Sequence, residues 1–372
     1  MTQRQVPFFN YRALFEAQEQ ELTAAVVDVM RRGAYILQQD LADFEQRLRE
    51  FLGVKYAFGV ADGTNALIIA LQAAGIGRGD EVIVPSHTYV ASAASIHLAG
   101  ATPVLVECRD DHMIDPAGVR AAITGRTRAI MPVQLNGRTA DMDEIMGIAS
   151  EHGLKVIEDA AQALGSRFRG RFAGTFGAAG TFSFYPAKLL GCFGDGGGVV
   201  TNDDAMGERL ALLRDHGRNE RGEVVAWGTN SRLDNLQAAI LNVKFRTFGA
   251  ELDKRRRLAA QYDEGLRDVP ELLLPPAPGA DPRHHDVYQN YEIEADRRDD
   301  LRKHLEQQGV RTIIQFGGKA VHQYEGLGLT QYHLPRTELL YRRALLLPMN
   351  TSLGDEDVGY VIDCIRAFYG RG

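Results

Sequence analysis

Primary amines are scarce in this chain, and one of them stands in unusual company. Of 42 basic residues in 372, only Lys55, Lys155, Lys188, Lys244, Lys254, Lys303 and Lys319 are lysines, and the rest are arginines. Lys188 lies in SFYPAKLLGCFGDGGG, between a strand-like aromatic run and a glycine-rich loop. A lysine just past a strand end would project into the crevice where open α/β sheets bind ligands. The ordinary reading of a lysine is a solvated surface residue, and the flanking glycines and aromatics weaken it here. Glycine loops also cradle phosphates, but no lysine follows Gly196 to complete G-x-x-x-x-G-K-[ST], and Val199 stands where G-x-G-x-x-G needs its third glycine. A P-loop nucleotidase and a nicotinamide-dependent oxidoreductase both lose support.

The segment VIEDAAQALG supplies the complementary charge: Glu158 and Asp159 end an apolar run, and Gln162 follows among small residues. A carboxylate at a strand end can cap a following helix. It can equally face a protonated ring nitrogen. A Schiff-base lysine and a carboxylate on a pyridinium nitrogen are what pyridoxal 5'-phosphate requires of a protein. In VADGTNALIIAL, Gly63 and Thr64 open an apolar helix whose free N–H groups suit a phosphate, or simply begin the helix. In PSHTYVASAAS, Tyr89 lies just beyond a strand, where its ring could stack on a flat cofactor or pack in the core.

Positioning these residues requires a regular scaffold. Apolar residues at helical spacing mark Phe15 to Met30, before Gly33, and Asp40 to Phe51. Helical patterns after Thr64 and through Ala91 to Leu98 alternate with strand-like runs at Val82–Pro85, Pro103–Glu107, Ala129–Val133, Val156–Glu158, Thr181–Phe184 and Gly198–Thr201. This alternation predicts an α/β fold with a mostly parallel sheet between helices. A long helical pattern from about Arg232 to Tyr262 precedes Pro275, Pro276 and Pro278, then strand-like Tyr288–Ile293 and helical Asp299–Gln308 and Asp355–Phe368. The expected division is a large domain over 1–250, N-terminal helices included, and a smaller α+β domain over 251–372. The basic run Lys254 to Arg257 reads as a solvated helix face.

The net charge of −7 makes nucleic acid a poor partner. Cys108, Cys192 and Cys364 are too far apart for a disulfide framework or a zinc site, which fits a reducing cytoplasm, and neither a signal peptide nor a membrane-length apolar stretch is present.

In their order along the chain, GAYIL, GTNAL, EDAAQALG, SFYPAKLLGCFGDGGGVVTND, GTNSRLDNLQAAIL and LLLPM resemble the DegT/DnrJ/EryC1/StrS family of PLP-dependent sugar aminotransferases. The resemblance implies the aspartate aminotransferase-like fold type I, with a large seven-stranded-type sheet domain. It implies Lys188 as the covalent anchor and proton shuttle, Asp159 on the pyridinium nitrogen, Gln162 near the phenolic oxygen and Tyr89 stacked on the ring. Gly63, Thr64 and Ser183 match phosphate positions. Asn230 matches an asparagine reaching the phosphate of a neighbouring subunit, hence a homodimer with shared sites. The implied reaction moves an amino group from L-glutamate to a nucleotide-linked keto sugar. Family members that are dehydratases carry histidine at the lysine position, so Lys188 favours transamination; a non-catalytic regulatory role is the other alternative. The chain departs from the family pattern at Gln315 to Lys319, at Asp62 and at Gln134 to Gly137. Lys319 and His322 are candidate substrate contacts, and no metal is expected.

Overall fold

The computed structural model describes residues 4–371. Seven strands form its main sheet: β1 (Tyr56–Val60), β2 (Glu81–Pro85), β3 (Thr102–Val106), β4 (Thr127–Ile130), β5 (Lys155–Asp159), β6 (Ala179–Ser183) and β7 (Gly197–Thr201). Their spatial order is β1-β7-β6-β5-β4-β2-β3. The pairs from β6 to β3 are parallel, and β7 is antiparallel to both β6 and β1. Six strands therefore point their carboxyl ends at one edge. The connection from β6 to β7 starts and finishes at that edge, with Ser183 paired to Gly197.

Helices cover both faces, which is why Val82, Ile83, Val84, Ile130, Ile157 and Val199 read as unbroken apolar runs and are wholly buried. A second core lies under the antiparallel sheet of β8 (Leu272–Leu273), β9 (Tyr291–Ala295) and β10 (Ala344–Leu347), packed by the helices Arg298–Gln307 and Asp355–Phe368. The helix Phe248–Leu266 spans both units: Phe248 and Leu252 join the large core, and Leu258, Tyr262 and Leu266 join the small one. The expected boundary at 250/251 falls in its first turn. Val6, at the other end of the chain, also packs into the small core and bridges to Val310.

Four sequence expectations change. The pattern over Phe15–Met30 is two helices, Tyr11–Glu16 and Glu19–Arg32, because Gln18 leaves helical geometry. The pattern from Arg232 to Tyr262 is likewise Asn235–Phe245 followed by Phe248–Leu266, with Arg246 and Thr247 between them. Strand β9 begins only at Tyr291, since Tyr288 adopts φ 50°. The basic run is a clamp rather than a solvated face. Arg255 is buried with Nη1 donating to the carbonyls of Tyr288, Gln289 and Met349 at 3.1–3.2 Å, and burial pushes its pKa down to about 10. Lys254 and Arg256 donate to the carbonyls of Thr351 and Asp286.

Candidate active site

A cleft of about 730 Å3 opens at the carboxyl edge of the sheet, and Gly63, Thr64, Tyr89, Asp159, Gln162, Ser183 and Lys188 all line it. Lys188 is rooted in the β6–β7 connection and half-buried. Its segment is pinned from the small domain: Gln289 accepts from the Leu189 amide at 2.7 Å and donates to the Ala187 carbonyl at 2.7 Å. Burial of the charged form lowers the Lys188 pKa, opposed by the charge of Asp159. An amine poised to lose its proton can attack a carbonyl and accept a proton.

Asp159 is the last residue of β5 and is buried. No helix follows it, so it is not a cap. Its Oδ1 accepts from the Ala161 amide at 3.2 Å, and its Oδ2 accepts from Ser92 Oγ at 2.7 Å. Burial raises the Asp159 pKa, against those two bonds and the Lys188 charge. A buried carboxylate in this state gains most from a cationic N–H placed against it. Ser92, on the helix Val90–Leu98, is held in turn by Thr88 Oγ1 at 2.7 Å. The preceding acid, Glu158, serves the fold: it accepts from the amides of Gly174, Phe176 and Gly177 and from Gln134 Nε2 at 2.6–3.0 Å.

The helix Gly63–Ala73 points its start at the cleft. Asp62 accepts from the Asn65 amide at 2.8 Å and its carbonyl accepts from Ala66, which leaves the Gly63 and Thr64 amides without an intrahelical acceptor. A Cβ at position 63 would stand 2.9 Å from Ser183 Cβ, so glycine lets the helix start approach the end of β6. Two amides, the Thr64 and Ser183 hydroxyls and a helix dipole make an anion site. Tyr89 is 58% exposed and faces Phe316, with ring centroids 5.7 Å apart.

Sequence reasoning overlooked Ser92, Gln289 and Asn290 as contributors to this region, and marked Asn136 and Phe316 only within stretches that depart from the family pattern. The Asn136-Gly137 dipeptide carried a turn signal, and its backbone is indeed left-handed at both residues, with φ 56° and 90°. A Cβ on Gly137 would lie 2.5 Å from the Tyr288 amide nitrogen, so the two domains meet at this turn.

Three predicted residues stand elsewhere. His322 is buried and does not line the cleft; its Nδ1 bonds Ser86 Oγ at 2.7 Å, behind the β2 end. Lys319 is exposed after the turn Gln315–Gly318 and does not line the cleft. Asn230 is exposed and outside the cleft of its own chain. Among the described residues, His87, His112 and Glu292 place one potential metal ligand each within 4.8 Å. Every ring nitrogen there already has a partner. His87 meets Tyr341 and Glu292, and His112 meets Glu292 at 3.0 Å and Glu294 at 3.1 Å. The cluster is an ion-pair network between the domains.

The model of the DegT/DnrJ/EryC1/StrS aminotransferase family matches residues 16–366. The chain belongs to that family. Over 371 residues the aminotransferase is 43% identical to dTDP-3-amino-3,4,6-trideoxy-alpha-D-glucose transaminase of Streptomyces venezuelae, covering 98% of this chain and 97% of that protein. It is 40% identical over 368 residues to a pleiotropic regulatory protein of Geobacillus stearothermophilus, with 98% of each chain covered. The solved structure of S. venezuelae DesV superposes with a TM-score of 0.94 at 42% identity, covering 99% of both chains. The aminotransferase thus has the fold-type I architecture, and its cofactor is pyridoxal 5'-phosphate. The cleft fits that group: an amine, a buried carboxylate short of positive charge and a helix-start anion site share one cavity.

Proposed function

We propose that this aminotransferase moves the amino group of L-glutamate to a nucleotide-linked keto sugar, of the 3- or 4-keto-6-deoxyhexose type, in amino-sugar biosynthesis. The observation that carries the reading is Lys188 and Asp159 facing one cleft, each with its pKa displaced by burial toward the neutral form. The sugar class rests on the relative named for a dTDP-amino-trideoxyglucose. When bound, pyridoxal phosphate supplies an aldehyde for amines and a ring that withdraws electrons. Lys188 Nζ would carry the cofactor, and its free amine would take a proton from the donor's alpha carbon and return it to the cofactor-side carbon. Asp159, fixed by Ser92, keeps the ring nitrogen protonated. The Gly63 and Thr64 amides and the Thr64 and Ser183 hydroxyls would hold the phosphate, with Tyr89 to cover the ring and Gln162 to meet the phenolic oxygen.

Asn230 is assigned to a second copy's site in a homodimer. Support comes from the segment it ends: Val224 is 70% and Trp227 96% exposed, apolar surface of the kind that pairs with a partner. Mixed dimers of Lys188→Ala and Asn230→Ala subunits should recover activity that neither parent has; no recovery from two folded, inactive parents would remove site sharing. The reaction is tested by incubating the holoenzyme with L-glutamate and a panel of dTDP-, UDP- and GDP-linked 3- and 4-keto sugars, with mass and NMR analysis of the product. Amine formation on one sugar is expected. A holoenzyme that binds such a sugar but aminates none would favour the regulatory role named for the G. stearothermophilus relative.

A further inference from the structure

Gln162 has a carboxamide whose two ends look alike in shape and opposite in hydrogen bonding, so its orientation decides what the cleft offers. Two groups of unambiguous polarity fix it. The backbone N–H of Asn136 can only donate, and it lies 2.9 Å from Gln162 Oε1. The carboxylate of Glu292 can only accept, and it lies 2.8 Å from Asn136 Nδ2. With Nδ2 so committed, Asn136 Oδ1 is the end that accepts from Asn290 Nδ2 at 2.8 Å and from Gln315 Nε2 at 3.1 Å. Asn290 Nδ2 also reaches Gln162 Oε1 at 3.4 Å. All polarities agree around this ring of amides, and both protein contacts of Gln162 fall on its oxygen. Its Nε2 is left for the ligand.

We propose that Asn136 is a positioning residue that locks Gln162 with its N–H donor turned into the cleft, toward the ring oxygen of the cofactor carried by Lys188. The proposal rests on the cofactor placement given above and goes beyond it, because the lock spans the two domains. Asn136 belongs to the large domain, whereas Asn290, Glu292 and Gln315 belong to the small one. Asparagine suits position 136 twice over: it tolerates φ 56° better than most residues with a Cβ, and it offers a donor and an acceptor at once. Glu292 is a firm anchor, since His87 and His112 hold its Oε2 from the other side at 3.3 and 3.0 Å.

A donor on the ring oxygen disperses its negative charge and weakens its hold on the neighbouring proton of the lysine-bound cofactor. Without the lock, Gln162 can turn its own oxygen to that atom, and the proton is held to higher pH. The test is the visible absorbance of the holoenzyme, without substrates, titrated with pH. Asn136→Gly keeps the backbone tolerance and deletes the anchors; it should raise the midpoint by about 0.5–1 pH unit. Asn290→Ala, which removes two donors of the ring without touching the turn, should shift it the same way and serves if the first variant does not fold. In a Gln162→Ala background, adding either substitution should move the midpoint no further. Equal shifts in both backgrounds, or none in the wild-type background, would overturn the proposal. A wild-type protein with no visible band would instead overturn Lys188 as the attachment point.

Discussion

Lys188 differs from the other lysines in its surroundings as well as its motif. Lys155 donates to the Ala74 carbonyl, Lys244 to the Gly191 carbonyl and Lys55 to Asp204, so their amines are occupied. Lys188→Ala should abolish borohydride-trapped cofactor and lower turnover by about 10²–10⁴-fold or more, with the fold retained by circular dichroism. Trapping at an unchanged level would move the anchor elsewhere. At this scale the sequence was legible where a rare type met an unusual context, as with Lys188 and Asp159. It was silent on Ser92, one of several small residues on an ordinary helix, because its importance comes from standing 2.7 Å from a residue 67 positions away. His322 shows the converse: the family pattern singled it out, and its packing against Ser86 could not be read from the sequence.

Among the elements, the alternating strands were readable because a sheet covered on both faces leaves unbroken apolar runs. The helix breaks at Gln18 and at Arg246–Thr247 were not. Apolar periodicity continues across them, and each break shows only in the backbone, at Gln18 with φ −134° and at Thr247 with φ −102°. Glu158 shows how the elements are locked. Its buried carboxylate gathers three loop amides and Gln134, so Glu158→Gln turns an N–H2 toward groups that are themselves donors. We expect a loss of about 2–4 kcal/mol, read from urea unfolding of the apoenzyme. A loss below about 0.5 kcal/mol would show that water satisfies those amides.

For the whole molecule, the seam between the two cores was not legible, since it is made of charged residues far apart in sequence. His112 lies in that seam. Burial works against its charged form, but the bonds to Glu292 and Glu294 prevail and raise its pKa to about 9. A folded pKa above the unfolded value of about 6.5 gives stability that is complete below about pH 6.5 and gone above about pH 9, on the order of 3 kcal/mol. The stability difference between wild type and His112→Gln should therefore shrink as pH rises from 6.5 to 9. A difference constant over that range would mean that His112 is neutral throughout.

The antiparallel strand β7 has a further consequence, for what the fold tolerates. Both ends of the segment bearing Lys188 are rooted in adjacent strands at the ligand edge. Extra residues at its exposed Asp195, away from the buried Leu189, Leu190 and Cys192, would cost the fold little in loop closure, about 0.6 kcal/mol for each doubling of loop length. The added slack would pass directly to the amine. The exposed Gly77–Asp80 turn enters β2 at the opposite edge, where the same slack reaches nothing that reacts. A short Gly-Ser insertion after Asp195 should thus leave the urea midpoint nearly unchanged and remove turnover, while one after Gly79 should spare both. An insertion at this exposed corner can leave the fold standing and still disable catalysis, so a screen for stability alone would accept lesions that a screen for activity rejects.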